Sequence, residues 1–261
     1  MDQPLRDKRI LLTRPAHQCA GWQALLAEQG ARCDSIPMLE IAPFTGDDPA
    51  AAQAIRNLIL DFDQCDHAIF VSQNAVHWGF DWLDDYWPQL PLGPRFYAIG
   101  AATARAIAAR GAEPECDETL DSMDSEALLA LPALQHPQGT RVFVFRGQGG
   151  RTLIGDTLRE RGARVDYCEL YRRLLPADAP AQLGEYAYTP DAITVHSGET
   201  LDNLHQCLQH SRRPELLRVP LICPSARVAQ QARALGFSRV TAAQNAGDPA
   251  MLAALREALA A

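Results

Sequence analysis

The chain reads as an α/β protein of two similar domains, each a parallel sheet flanked by helices. Three observations predict this. Short apolar runs alternate with helix-compatible stretches along the whole sequence, the pattern of parallel sheets covered on both faces. The second half repeats landmarks of the first at fixed spacing. A length of 261 residues lies where one hydrophobic core gives way to two.

The elements follow in order. Arg9-Ile10-Leu11-Leu12-Thr13 reads as a buried strand, and Gln18 to Gln29 as a helix carrying Trp22, Leu25 and Leu26 and closed by Gly30. Pro37 to Ile41 is read as the second strand, and Cys168 to Arg172 as its counterpart in the second half. Further strand-like segments stand at Ala68–Val71, Phe96–Ile99, Val142–Phe145, Ala192–Val195 and Val219–Ile222, each ahead of a helix-compatible stretch. Periodicity fails over Ala42–Pro49 and Leu174–Pro180, which read as linkers. Trp78 to Pro94, rich in tryptophan and proline, reads as a helix end and loop whose aromatics serve packing.

Leu12-Thr13-Arg14 followed by Gly30-Ala31-Arg32 recurs as Val144-Phe145-Arg146 followed by Gly162-Ala163-Arg164. The offset is 132 at both landmarks (146 − 14 and 162 − 30). Ser72 and Ser197, like Gly111 and Gly236, are separated by 125 (197 − 72 and 236 − 111). Two halves of similar build leave such a trace.

Composition removes several functions. A formal net charge of −8 argues against a nucleic-acid partner, which requires a basic face. No run of eighteen apolar residues is present, so no membrane span is expected. The N-terminus is polar without an apolar h-region, and a cytoplasmic protein is expected. Cys19, Cys33, Cys65, Cys116, Cys168, Cys207 and Cys223 are scattered and form no Cys-x-x-Cys pair; they read as buried free thiols. No histidine pair has metal-ligand spacing, so neither a metal nor any other cofactor is predicted. The glycine-rich run Arg146-Gly147-Gln148-Gly149-Gly150-Arg151 follows a strand, but its spacing fits no nucleotide-binding loop. That spacing weighs against a dehydrogenase or a glycosyltransferase. A two-domain ligand-binding protein without catalysis is the remaining alternative.

Several segments together resemble the uroporphyrinogen-III synthase family. They are Thr13-Arg14-Pro15, Gly30-Ala31, Pro37-Met38-Leu39-Glu40-Ile41, Ile69 to Val76, Ala98 to Ala104, Arg146-Gly147 through Gly150-Arg151, Gly162 to Val165 and Glu169-Leu170-Tyr171-Arg172. The tail, from Ser197-Gly198 through Cys223-Pro224-Ser225 to Gly236-Phe237, fits as well. The resemblance covers about Arg9 to Leu259. Cys223 and His196 depart from the residues usual in the family. His196 could be read as a catalytic acid, though the plainer reading is a strand-end histidine.

The resemblance implies a chain that crosses twice between its domains, 1–42 with 174–261 forming one and 43–173 the other, with a cleft between them. It implies cyclisation of hydroxymethylbilane, a linear tetrapyrrole bearing eight carboxylates, with loss of water and inversion of the last ring, in heme biosynthesis. A monomer without cofactor is expected, and a transient contact with the preceding synthase is left open. Uncatalysed closure gives the other isomer, so the work is mainly to hold one folded conformation. Anion donors spread over strand-to-helix loops suit that task, because helix N-termini offer free N–H groups and a favourable dipole without adding net charge. The loops concerned are Thr13-Arg14, Ser72-Gln73-Asn74, Gly100-Ala101-Ala102-Thr103, Ser197-Gly198 and Pro224-Ser225; ordinary helix capping explains each equally well. Arg14 and Arg146 stand at equivalent places, and Arg151 is expected one turn into the following helix; each could grip a carboxylate. Arg227 is a weaker candidate. The family places a tyrosine where Tyr171 stands, pointing into the cleft, and Tyr171 is expected to protonate or orient the leaving hydroxyl.

Overall fold

Strands form where buried apolar side chains run together, and the sequence sorts them into two sheets. The computed structural model describes residues 4–44, 48–115 and 124–260. Cys116 and residues 45–47 of the first expected linker lie outside the described residues. The chain divides into two compact units, unit 1 comprising Met1–Ile41 and Leu174–Ala261, and unit 2 comprising Ala42–Arg173.

Unit 1 opens with β1 (Arg9–Leu12), α1 (Ala20–Glu28) and β2 (Arg32–Ser35), and β3 (Glu40–Pro43) leads out of it. Unit 2 continues with α2 (Pro49–Leu60), β4 (His67–Phe70), α3 (Gln73–Tyr86), β5 (Arg95–Ala98), α4 (Ala101–Ala109) and β6 (Pro114–Glu115). Next come α5 (Ser125–Ala130), α6 (Pro132–Gln135), β7 (Arg141–Gly147), α7 (Leu153–Glu160) and β8 (Arg164–Leu174). The chain then returns to unit 1 as α8 (Ala179–Glu185), β9 (Ala192–Thr194), α9 (Gly198–Ser211), β10 (Leu221–Cys223), α10 (Ala226–Ala234), β11 (Val240–Ala242) and α11 (Asp248–Ala260).

The five-stranded sheet has the order β11-β10-β9-β1-β2, and the six-stranded sheet β3-β8-β7-β4-β5-β6. Pairing is parallel throughout β2-β1-β9-β10-β11 and throughout β8-β7-β4-β5-β6. Those two rows are the same arrangement. β1-α1-β2 corresponds to β7-α7-β8, and β9 to β11 correspond to β4 to β6, so the duplicated landmarks are duplicated structure.

Alternation along each strand supplies two apolar faces per sheet. In unit 1, Leu11, Ile193 and Leu221 pack with Leu183, Leu204 and Val228 of α8, α9 and α10. Ile10, Leu12 and Ile222 pack on the opposite face with Trp22, Met251 and Leu255 of α1 and α11. In unit 2, Ile69, Val142 and Val144 face Leu128 of α5 and Leu158 of α7. The other face of unit 2 is aromatic: Phe70 stacks on Phe145 at 4.4 Å and lies 5.4 Å from Phe80 of α3.

Several boundaries differ from the sequence reading. Pro37–Leu39 is not strand; β2 ends before it and β3 begins after it. Pro37 has no N–H to give a ladder, and Met38 is instead buried in the core. The expected linkers begin as strand, β3 carrying the chain out at Ile41–Ala42 and β8 carrying it back at Arg173–Leu174, while 175–178 is irregular as expected. The first predicted helix splits into a 3₁₀ turn at Ala16–Gln18 and α1. Trp78–Tyr86 is helical, and the loop after it begins at Trp87, whose indole donates to the Ile59 carbonyl at 2.7 Å. Six described cysteines are free, and burial pushes the Cys65 and Cys223 thiols up to about 12. Among the described residues no helix is long and apolar enough to cross a membrane.

Candidate functional site

The carboxyl ends of β4, β5 and β7 in unit 2 meet a polar stripe on β8. Alternate β8 residues Tyr167, Glu169, Tyr171 and Arg173 read as one polar row, the opposite parity (Cys168, Leu170) entering the core. A β-bulge after Arg146↔Glu169 pairs Gly147 with Tyr171 and leaves Leu170 extra. Such a bulge turns the strand and re-aims the side chain that follows. Tyr171 is 5% exposed, and its hydroxyl lies 3.0 Å from the Ser72 hydroxyl.

Tyr171 is held from three sides. Its ring lies against Gly147 so closely that a Cβ there would stand 2.5 Å from a ring carbon. Its carbonyl accepts from the Gln148 N–H at 2.7 Å. Its hydroxyl meets Ser72, which caps α3 by accepting from the Ala75 N–H at 3.1 Å. The loop after Gly147 turns through positive φ at Gly149 (71°) and Gly150 (86°), a conformation open to glycine at little cost. The Gly149 N–H donates to the Glu169 carboxylate at 3.1 Å.

Arg146, expected to fork a substrate carboxylate, is 7% exposed and directed to the protein itself. Its Nε donates to the Gly147 carbonyl at 3.2 Å, its Nη1 to the Arg151 carbonyl at 3.1 Å, and its guanidinium lies 4.8 Å from the Tyr167 ring centre. It clasps the glycine loop. Arg151 precedes α7 rather than lying a turn inside it, and its side chain is exposed. Around these groups is a cavity of about 360 Å³ lined by Ser72, Arg151, Tyr167, Tyr171, Arg173 and the glycine loop.

The other expected groups of unit 2 lie at helix starts outside that lining. Gln73 and Asn74 open α3, and Gly100 (φ 84°) caps α4 ahead of Ala101. Thr103 is 4% exposed, its side chain turned into the fold.

Unit 1 repeats the scaffold with different contents. Arg14 is also occupied, bonding Asp248 at 2.7 Å and the Ala246 carbonyl at 3.2 Å. The two arginines expected to fork a carboxylate thus each bond a loop of the protein, at equivalent positions. Ser197 caps α9, accepting from the Thr200 N–H at 3.0 Å, and its hydroxyl meets that of Thr200 at 2.8 Å. Ser225 caps α10, accepting from the Val228 N–H at 3.4 Å. Arg227, on the first turn of α10, reaches to 3.9 Å from where a Cβ on Gly198 would stand. His196 packs edge-on to Trp22 at 5.8 Å, and neither ring nitrogen has a partner among the described residues. Burial, then the nearby Arg14 charge, lowers its pKa to about 3. At neutral pH it is the neutral imidazole and carries no imidazolium proton to give as an acid.

Sequence reasoning missed Tyr167, Glu169 and Arg173, although the period-2 polar row on β8 was there to be read. The glycine run was noticed only as a failed nucleotide loop. Among the described residues no group of three or more His, Cys, Asp or Glu side chains could hold a metal ion.

A family model described as uroporphyrinogen-III synthase HemD matches residues 20–253. The chain is 35% identical over 251 residues to the uroporphyrinogen-III synthase of Salmonella typhimurium, covering 95% of this chain and 99% of that one. It is 34% identical over 254 residues to that of Escherichia coli K12, with the same coverage. A solved mutant uroporphyrinogen III synthase from Thermus thermophilus superposes with a TM-score of 0.61 at 20% identity, covering 97% of this chain and 99% of that one. The Helicobacter pylori uroporphyrinogen-III synthetase superposes at 0.59 with 14% identity, covering 94% and 97%. These two likenesses show the shared fold.

Proposed function

Because the chain belongs to the uroporphyrinogen-III synthase family, whose cyclising lyase reaction on hydroxymethylbilane it carries out, we propose that the unit 2 cavity is where the leaving hydroxyl departs and that Tyr171 is its proton donor. The observation that carries this reading is the phenol of Tyr171 fixed by Ser72 at the wall of a cavity with arginine at its rim.

The pyrrole nitrogen lone pair pushes out the terminal C–O bond while the phenol proton passes to the departing oxygen, so water leaves and an azafulvenium cation remains. That carbon is attacked by the substituted position of the far pyrrole, giving a spiro intermediate that rearranges with the ring inverted. The last proton lost as the pyrrole regains aromaticity restores the phenol. Proton donation of this kind contributes about a hundredfold or more, and holding the chain in one folded conformation contributes the larger share.

Anion recognition in this reading falls to groups with free N–H donors. In unit 2 these are the Gln73 and Asn74 amides at the start of α3, those of Gly100 and Ala101 at α4, and the Arg151 guanidinium, whereas the Thr103 amide is already bonded to the Gly100 carbonyl at 3.0 Å. In unit 1 they are the Ser197-Gly198 and Ser225 loops, with Arg227 beside Gly198. Arg14 and Arg146 shape these loops. The chain is proposed to act as a cytoplasmic monomer without cofactor, in keeping with its free thiols; light scattering on the purified protein reads the oligomeric state.

The test is a coupled assay. Hydroxymethylbilane is generated in situ by its synthase, the protein is added, and the oxidised uroporphyrin isomers are separated. Isomer III should predominate with the wild type, and Tyr171→Phe should lower its rate about a hundredfold. Isomer I alone from well-folded protein would sink the reading.

A further inference from the structure

Ser72 has two jobs at one oxygen. It accepts the Ala75 N–H at 3.1 Å and lies 3.0 Å from the Tyr171 hydroxyl. A serine hydroxyl holds one proton and two lone pairs. With one lone pair committed to the helix, either its proton goes to the tyrosine oxygen or its second lone pair takes the tyrosine proton. Only the first arrangement leaves the phenol proton free for a bound substrate. Two features favour it once the phenol begins to lose that proton. The serine oxygen, already accepting from a backbone amide, becomes a better donor, because hydrogen bonds in a chain strengthen one another. α3 is 14 residues long, and its N-terminus places partial positive charge behind Ser72, toward the oxygen that turns negative.

We propose that Ser72 is a positioning residue for Tyr171, donating its hydroxyl proton to the phenol oxygen so that the phenol proton points into the cavity and the phenolate left behind is stabilised through the start of α3. This rests on the assignment of Tyr171 as proton donor. It gives Ser72 a role through Tyr171, distinct from direct contact with a substrate carboxylate. The rest of the surroundings suits it: Gly147 and the Gln148 amide fix the ring and backbone of Tyr171, leaving only the hydroxyl to be oriented.

A double-mutant cycle in the isomer assay tests this, using Ser72→Gly, Tyr171→Phe and the pair. Glycine is tolerated at a helix N-cap, so Ser72→Gly removes the hydroxyl while leaving α3 capped. Circular dichroism reports the fold of each variant, and Ser72→Ala shows how much of any loss belongs to the cap. The expected result is a fall in kcat of about tenfold or more for Ser72→Gly with KM little changed. The double variant should be no slower than Tyr171→Phe alone, within about twofold, and Ser72→Thr should restore most of the rate. Additive losses, or a loss confined to KM, would overturn the proposal by making Ser72 a direct substrate ligand. An unchanged kcat in Ser72→Gly would overturn it too. If Tyr171→Phe itself runs at the wild-type rate, the proton-donor assignment fails first, and this proposal with it.

Discussion

Unit 1 and unit 2 share one strand order and differ in what stands at the carboxyl edge of the sheet. After β7, glycines make room for a tyrosine on β8, and the equivalent serine, Ser72, turns its hydroxyl to that tyrosine at 3.0 Å. After β1 stands Pro15 at the place of Gly147, and Leu39 at the place of Tyr171, by the offset of 132 between Arg14 and Arg146. There Ser197 turns its hydroxyl to its own helix, at Thr200. The two arginines nonetheless do the same thing, each clasping a loop. The comparison teaches that the repeated arginine bonds its own loop in both copies, whereas the tyrosine proposed as proton donor is an addition to one copy.

The largest expected effect comes from removing the room that unit 2 made. Gly147→Ala puts a methyl 2.5 Å from the Tyr171 ring and should cost about a hundredfold in isomer III formation, with a stability loss of only about 1–3 kcal/mol that leaves the protein folded. A well-folded variant with full activity would mean that the tyrosine need not sit where it does. Next, Arg146→Ala strips two carbonyls of a buried charged donor and should destabilise by about 2 kcal/mol in urea titration. Arg14→Ala, breaking a partly exposed ion pair, should cost about 1 kcal/mol. Equal losses would erase the distinction between a buried and a half-open clasp.

His196 sharpens the contrast through pH. Its folded pKa is lowered to about 3 from 6.5, so below pH 6.5 the unfolded chain binds a proton that the folded ring refuses. Stability contributed by the neutral ring is complete above that pH and falls as pH drops toward 3, by up to about 1.4 kcal/mol per unit. Against wild type, His196→Leu should flatten the acid side of a plot of urea midpoint against pH. A parallel curve for the variant would show that the ring finds a way to be protonated. The smallest effect concerns the tie between paired helices. Arg110 of unit 2 bonds Asp81 and Asp84, while Gln231 of unit 1 bonds Asp202 without an ion pair. Arg110→Gln should cost about 0.5 kcal/mol at low salt and less at high salt.

Much of the fold was legible because four-residue apolar runs such as Ala68-Ile69-Phe70-Val71 and Val142 to Phe145 are buried on both faces and leave no polar alternation to confuse them. Duplicate spacing exposed the second copy. The start of the first crossing was misread as a loop because Pro43 looks like punctuation, whereas it closes β3; Pro176 does stand in irregular chain, between β8 and α8. At the site, Ser72 and Tyr171 were named from sequence, but their contact spans 99 residues and no local pattern encodes it. The protein partners of the two arginines went unseen for the same reason. Asp248 lies far along the chain from Arg14, and the partners of Arg146 are backbone carbonyls, which no sequence marks.

The strand order of unit 1 also sets a timetable for synthesis. β1 is made well before its inner neighbour β9, with Leu11 paired to Ile193. Residues 1–41 therefore leave the ribosome with a strand edge that stays open until the whole of Ala42–Arg173 and part of the return segment have followed. Unit 2 is contiguous and can close its own sheet in the interval. The nascent chain accordingly folds from the middle outward, and the interval between β1 and β9 is when an apolar edge strand is exposed to misassociation.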